Sequence, residues 1–234
     1  MKAVNIVLGL GRSGISASRL LNAEGEKVVV LEKYKNNKLN TIAKQLNGEG
    51  IEVMLGKDLD LKSLTPWVNS IKTVIVSPGI SWNNPTLIEL RNQGIDVQGE
   101  MAIAWQRLKH LKWVGITGTN GKTTVTYMLN HILETNGIKA PMGGNMGHPV
   151  TSIAHSQLDP KQVILNWLII ELSSYQIEAA PQISPEIGIW TTFSPDHLER
   201  HGSIDNYRKI KRKLLERSRL RIFNGDDPEL KNER

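Results

Sequence analysis

The chain contains no cysteine. This excludes disulfides, thiolate metal sites and a Cys nucleophile, and it fits a reducing compartment. No apolar stretch is long enough to cross a bilayer, and the N-terminus, MKAVNIVLGLGRSG, turns glycine-rich after one short apolar run. That is neither a signal peptide nor a membrane span, so a cytoplasmic protein without membrane insertion is expected. There is no HExxH arrangement, and aromatic residues make up only 5% of 234 residues. What is present is ordinary globular material: 39% hydrophobic and 22% charged residues, enough for one large domain or two modest ones.

The net charge of +6 is local. Residues 205–221 (DNYRKIKRKLLERSRLR) set eight basic side chains against Asp205 and Glu216, and the rest of the chain is balanced. A nucleic-acid surface would spread basic residues over several elements with interleaved aromatics, so a solvated helix face is expected and no nucleic-acid partner.

Short buried-strand patterns alternate with helical ones: VNIVL (4–8), a helix from Ile15 to Leu21, VVVLE (28–32) and TVIVSPG (73–79). A helical stretch near 99–109 leads to WVGIT (113–117), VILNWLIIE (163–171), IGIWTT (187–192) and RLRIFN (219–224). The alternation predicts an α/β chain with parallel sheets. The pattern restarts near residue 110. A Rossmann-like domain over 1–109 is therefore expected, followed by a P-loop ATPase-like domain over 110–234.

Gly9, Gly11 and Gly14 form G-x-G-x-x-G between a strand and a helix, and Glu32 ends the next strand. The glycines allow a tight turn and close backbone approach to a pyrophosphate, the helix N-terminus favours the anion, and the acid suits a ribose. NAD is the rival ligand. A dinucleotide fold uses two mononucleotide halves, and residues 1–109 hold one half and a few strands. A nucleotide diphosphate carrying a large group fits better; a packing turn without a ligand is the plain alternative.

The second device is GITGTNGKTT (115–124). Its G-K-[ST] core is Gly121, Lys122 and Thr123, but the usual first glycine would be at position 116, where Ile stands between Gly115 and Gly118. The physics survives the variation. Backbone N–H groups of Gly118, Thr119, Asn120, Gly121 and Thr124 can wrap phosphates, Lys122 can place its charge on them, and the Thr123 hydroxyl can reach Mg2+. Val125, Met128, Leu129, Ile132 and Leu133 recur at helical spacing behind the loop, with Gly137 to close the helix. ATP or GTP is the expected ligand.

This variant loop resembles that of the Mur ligase family, with folylpolyglutamate synthetases as more distant kin. GLGRSG (9–14), SPGI (77–80), GGNMGHP (143–149), ELSSYQIE (171–178) and DHLERHGS (196–203) occur in the order of the family's D-glutamate-adding branch. The resemblance covers essentially the whole chain. It implies an ATP-dependent ligase that joins UDP-N-acetylmuramoyl-L-alanine to D-glutamate through an acyl phosphate, in peptidoglycan precursor synthesis. It further implies that Gly9, Gly11, Arg12, Ser13, Gly14, Glu32, Lys33, Ser77 and Gly79 hold the uridine diphosphate. Asn145 and Ser173 would meet that substrate near two Mg2+ ions.

His197 and His201, at i and i+4, could suggest zinc, but no Cys accompanies them. The resemblance instead makes Glu171 and His197 Mg2+ ligands. Lys211 is the most informative residue. At about 100° per residue, Tyr207, Ile210, Leu214 and Leu215 form an apolar arc that includes Lys211 and leaves out Arg208, Lys209, Arg212 and Lys213. A core-facing Lys is costly as a cation, and a neutral amine can capture CO2 to give an anionic carbamate. The family's carbamylated lysine matches Lys211, and Lys122, His197 and Lys211 are the catalytic candidates. The plain alternative is a lysine whose stem packs while its amine reaches water.

Two departures from the family stand out. Thr192 occupies a position that usually holds Asn. The family also continues beyond FNGDDPELKNER with a third domain. A truncated central domain, an exposed sheet edge and little ligase activity of this chain alone are therefore expected. A non-catalytic nucleotide-binding remnant, half of a split ligase and, less favoured, an NAD-dependent oxidoreductase are the competing readings.

Overall fold

A computed structural model describes residues 3–231 and 233. The strands are β1 (Val4–Leu8), β2 (Lys27–Glu32), β3 (Glu52–Leu55), β4 (Ile71–Val76), β5 (Asp96–Gly99), β6 (Lys112–Thr117), β7 (Met142–Gly144), β8 (Trp167–Glu171), β9 (Ile187–Trp190) and β10 (Leu220–Phe223). The helices are α1 (Arg12–Ala23), α2 (Asn37–Gly48), α3 (Leu61–Leu64), α4 (Pro85–Asn92), α5 (Glu100–Leu108), α6 (Lys122–Thr135), α7 (Val150–Ser156), α8 (Ser174–Glu178), α9 (Leu198–His201) and α10 (Ile204–Arg217).

The strands build two five-stranded sheets, ordered β3-β2-β1-β4-β5 and β10-β9-β6-β8-β7, with every pairing parallel. Parallel sheets covered on both faces need strands that are apolar on both sides. β1 is buried at all five positions and β6 at all but its first. In each sheet the chain order reverses beside the central strand, β1 or β6, which opens a crevice at the strands' carboxyl ends. Both predicted phosphate turns leave those ends.

The predicted strand over 163–171 starts later, at Trp167. β6 begins at Lys112, which pairs with Trp167, so earlier residues have no neighbour, and Val163 and Ile164 are exposed. The helix after the phosphate loop runs to Thr135, with Gly137 at φ +75° behind it. It meets the sheet through the Val125–Leu129–Leu133 row, packed near Val114, Ile116 and Ile169. The adjacent row is not covered: Met128 and Ile132 are exposed, contrary to a wholly buried apolar face. Leu220 and Ile222 on the edge strand β10 are exposed as well.

The two sheets are not separate bodies on a string. One continuous apolar cluster includes Leu20, Ala102, Trp113, Ile153 and Leu168, joining α1, α5 and α7 to both sheets. The Gly99 amide donates to Ala179 O at 2.8 Å, and a Cβ on Gly99 would come within 2.8 Å of the Ala179 Cβ. At the centre lies Glu100. Its Oε1 accepts from the Thr151 amide (2.8 Å) and hydroxyl (2.7 Å), while its Oε2 is buried without a partner. Burial raises the Glu100 pKa against those two hydrogen bonds.

A folded pKa above the unfolded one means stability that is complete below the unfolded value near 4.5 and lost as pH rises through the folded value. Glu100→Gln keeps the acceptor and removes the ionisation. The variant is expected to gain stability over wild type as pH rises from 4.5, which a paired set of denaturant titrations between pH 4.5 and 8 reads directly. Parallel curves would contradict this.

Candidate functional site

The first crevice is a cavity of about 750 Å³ at the ends of β1, β2 and β4. Gly9, Gly11, Arg12, Ser13, Glu32, Lys33, Ser77 and Gly79 all line it, whereas Gly14 serves the packing behind it. Gly9 sits at φ +93°, a region that favours glycine. A Cβ on Gly14 would stand 2.0 Å from Gly9 O, so only glycine lets α1 approach the turn this closely. Gly14→Ala is expected to cost about 1–3 kcal/mol through this clash and to weaken any ligand of the cavity. Thermal melts combined with UDP titration test it, and an unchanged melt would contradict it.

Glu32 has a second task that spacing did not reveal. Its Oε2 accepts from the Leu10 amide (2.7 Å) and its Oε1 from the Tyr34 amide (2.9 Å), so the acid shapes the turn as well as facing the cavity. Ser77 holds the turn from the other side, its amide bonded to Leu8 O (3.1 Å) and its hydroxyl near Gly9 O (3.4 Å). Lys33 leans to Asp58 at 3.5 Å in an exposed pair.

The second crevice lies over β6, β8 and β9. Gly118 has φ +154°, and a Cβ there would meet the Thr191 Oγ1 at 2.0 Å. Gly121, at φ +79°, begins α6. Lys122 Nζ donates to Gly118 O and Thr119 O, both at 2.9 Å, folded onto its own loop. Burial lowers its pKa, with Glu171 and Asp196 pulling the other way. Thr123 Oγ1 donates to Glu171 Oε2 (2.8 Å) and Asn145 Nδ2 to Glu171 Oε1 (2.9 Å). Glu171, at the end of β8, is itself buried. Thr124 is exposed on the first turn of α6.

Not all the predicted amides face an incoming anion. The Thr119 amide donates to Thr192 O and the Asn120 amide to Thr192 Oγ1, both at 2.9 Å. Among the wrapping amides, this leaves Gly118 and those from Gly121 onward, at the N-terminus of α6, for phosphate. The residue noted only as a departure is thus a clamp on the loop.

Ser173 caps α8 and accepts from the Gln176 amide, which places it beside Glu171 in sequence and space. His197 adopts φ +52°, the one non-glycine with positive φ among the described residues, at the start of α9. Its ring is half-exposed near Asp196 (3.5 Å) and Glu199 (3.8 Å). His201 is buried instead, bonded through Nε2 to the Ser174 hydroxyl at 2.9 Å and stacked on Tyr207. Burial holds its pKa down, which suits a structural His.

Lys211 lies in the core at 1% exposure, among Tyr207, Ile210, Leu214 and Leu215, while Lys209, Arg212 and Lys213 are exposed. Its Nζ donates to Gly118 O (2.8 Å) and Thr117 Oγ1 (3.3 Å) and sits 4.7 Å from the Tyr207 ring centre. Burial, then the nearby Lys122 charge, lowers its pKa to about 7.

Two family models match: the Mur ligase MurD-like N-terminal domain over residues 3–99 and the Mur ligase middle domain over residues 116–234. The chain belongs to the Mur ligase family. UDP-N-acetylmuramoylalanine--D-glutamate ligase of Prochlorococcus marinus (strain MIT 9313) is 57% identical over 99% of this chain and 50% of its own length. The enzyme of that name from Synechococcus sp. (strain CC9605) is 52% identical over 98% of this chain and 50% of its length. The chain therefore spans about half the length of the curated relatives it matches.

Among solved structures, the Neisseria meningitides UDP-N-acetylmuramate:L-alanyl-gamma-D-glutamyl-meso-diaminopimelate ligase has a TM-score of 0.64 at 17% identity. That match covers 100% of this chain and 74% of that one. A murein peptide ligase from psychrobacter arcticus 273-4 has a TM-score of 0.58 at 18% identity, covering 99% and 51%. These two Mur ligase structures share the α/β fold of paired parallel sheets. Among the described residues no helix is long and apolar enough to cross a membrane.

Proposed function

We propose that this chain supplies the UDP-substrate and ATP portions of a cytoplasmic ligase that joins D-glutamate to UDP-N-acetylmuramoyl-L-alanine, a step in peptidoglycan synthesis and so in growth and division. The domain limits 1–109 and 110–234 go with this reading. The observation that carries it is the contact of Arg12 with Gly147. Nη1 of Arg12, in the first glycine turn, donates to Gly147 O at 3.1 Å, in the loop that also holds Asn145 on Glu171. That bond ties the first glycine turn to the loop beside Glu171, which supports a sugar nucleotide spanning both.

In this reading the 9–14 turn, Glu32 and Ser77 hold the uridine diphosphate, and the acid end of the sugar reaches Asn145 and Ser173. Lys122 leaves its two loop carbonyls for the β/γ-phosphate oxygens, and the amides opening α6 take the remaining charge. The carboxylate then attacks the γ-phosphoryl group of ATP, breaking the β–γ bond and releasing ADP, and the D-glutamate amine displaces phosphate from the acyl phosphate with loss of a proton.

The donors suit magnesium. Thr123 and Glu171 offer hard oxygens, and no cluster of three or more His, Cys, Asp or Glu occurs among the described residues, so phosphate oxygens would complete the shell. Bound there, Mg2+ would neutralise the charge that accumulates as two anions approach. A second ion would be held by His197 and by Lys211 as a carbamate. A buried amine whose pKa is about 7 is about half neutral near that pH, and the neutral form captures CO2.

Binding decides the matter. The chain should take one UDP-N-acetylmuramoyl-L-alanine and one Mg·ADP, each by calorimetry, and 13C-labelled bicarbonate should give a carbamate resonance lost in Lys211→Met. NADH displacing the UDP-sugar would overturn the assignment, as would the lack of binding by either ligand.

A further inference from the structure

The phosphate loop is held in shape by a second loop, and that loop is pinned from behind by a residue far along the chain. Residues 191–194 follow β9 and run beside 118–120. Thr191 Oγ1 donates to Asn120 O (2.6 Å), Thr192 Oγ1 accepts from the Asn120 amide (2.9 Å), and the Ser194 amide donates to Thr119 Oγ1 (3.0 Å). With the Thr119 amide on Thr192 O, four contacts copy the shape of one loop onto the other.

The Trp190 indole Nε1 donates to Thr192 O (3.2 Å), and the next residue, Phe193, has an anchor of its own. That anchor is Asp227, past the edge strand β10. Its Oδ2 accepts from the Phe193 amide at 2.8 Å, and its Oδ1 accepts from the Glu229 amide at 2.9 Å. The Asp227 amide bonds back to Asn224 O, and the Asn224 amide to Trp190 O, so the acid is anchored to the end of β9. The Phe193 ring, once placed, stacks on Tyr207 (5.5 Å) and is covered by the Arg208 guanidinium (4.2 Å). Arg208 is in turn held by Glu229 and Glu233.

We propose that Asp227 and Thr192 are positioning residues for the nucleotide: Asp227 sets the 191–194 loop through the Phe193 amide, and Thr192 transmits that placement to Asn120. Neither needs to touch the ligand. The proposal rests on the reading that residues 118–123 hold phosphates. It assigns a task to an acid in the NGDD stretch and to the residue that departs from the family's Asn.

The test uses the whole chain with Mg2+ and a fluorescent ADP, and UDP binding at the first cavity as the internal control. Asp227→Ala and Thr192→Val are each expected to weaken Mg·ADP by ~10–100-fold, the range for supports one shell removed from a ligand, with UDP affinity within about twofold. Thr192→Ser, which keeps the hydroxyl, restores affinity. Asp227→Asn, which keeps one acceptor for Phe193, restores most of it.

Equal loss at both ligands, or conservative variants no better than the truncations, would mean a general structural role and overturn the proposal. Should Asp227→Ala fail to fold, Thr192 carries the test alone, because it is half-exposed and its Val variant keeps the shape. Wild-type binding of Mg·ADP with unchanged variants sinks this inference only. Failure of wild type to bind Mg·ADP sinks the nucleotide reading and this inference with it.

Discussion

Lys122→Met is expected to weaken Mg·ADP binding by about 100-fold while leaving UDP affinity as it is. In the free protein the ammonium is held by Gly118 O and Thr119 O at 2.9 Å, partly buried, with its pKa lowered by desolvation. That arrangement is costly for a cation unless an anion arrives. Truncating one partner of a desolvated charge pair costs about 2–5 kcal/mol, and about 3 kcal/mol corresponds to roughly 100-fold in affinity. Met preserves the length and apolar stem, so the loss reports charge. Because the loop carbonyls would then face an apolar group, a modest fall in melting temperature is also expected. Calorimetric titration of wild type and variant with Mg·ADP and UDP checks it. A drop below about threefold would place the phosphates elsewhere.

The second large effect concerns Lys211 and pH. Its folded pKa is about 7 against an ordinary 10.5, from burial first and the Lys122 charge second. Between those values the unfolded chain binds a proton that the folded chain does not, so stability from this group is complete above the unfolded pKa. It is lost as pH falls through the folded one. The full swing is of order 5 kcal/mol. Lys211→Met removes the titration and fills the same apolar arc. Wild-type stability relative to the variant should therefore rise from pH 7 towards pH 10, and the variant should be the more stable form at pH 6.5. Carbamate formation in bicarbonate acts on the same amine, so the comparison is made with and without added bicarbonate, and the gap should narrow when the amine is capped. Chemical denaturation across this range is the measurement; a constant difference would show the amine to be solvated.

Several of the proposed site residues were legible because their chemistry is local. Gly9, Gly11 and Gly14 are spaced by the needs of one turn, and Gly121, Lys122 and Thr123 by one loop opening onto one helix. Lys211 was legible for a related reason. Helical periodicity alone puts it among Tyr207, Ile210, Leu214 and Leu215, and all five are buried. The same logic failed on α6, where Met128 and Ile132 share the apolar pattern but lie in the row that meets no sheet. Short elements were missed as well: β7 has three residues, too few to show a period, and exists because β8 offers it an edge.

Sequence alone settled the alternation of strand and helix, the two glycine turns and the burial of one lysine, since each depends on periodicity or on contacts a few residues apart. Only the tertiary structure decided what joins distant segments. Arg12 meets Gly147, Glu100 meets Thr151, Thr192 takes two amides of the phosphate loop, and Asp227 reaches Phe193. The reason is physical. A hydrogen bond between residues tens of positions apart leaves no spacing signature, and its partners are chosen by how two parallel sheets pack through α1, α5 and α7.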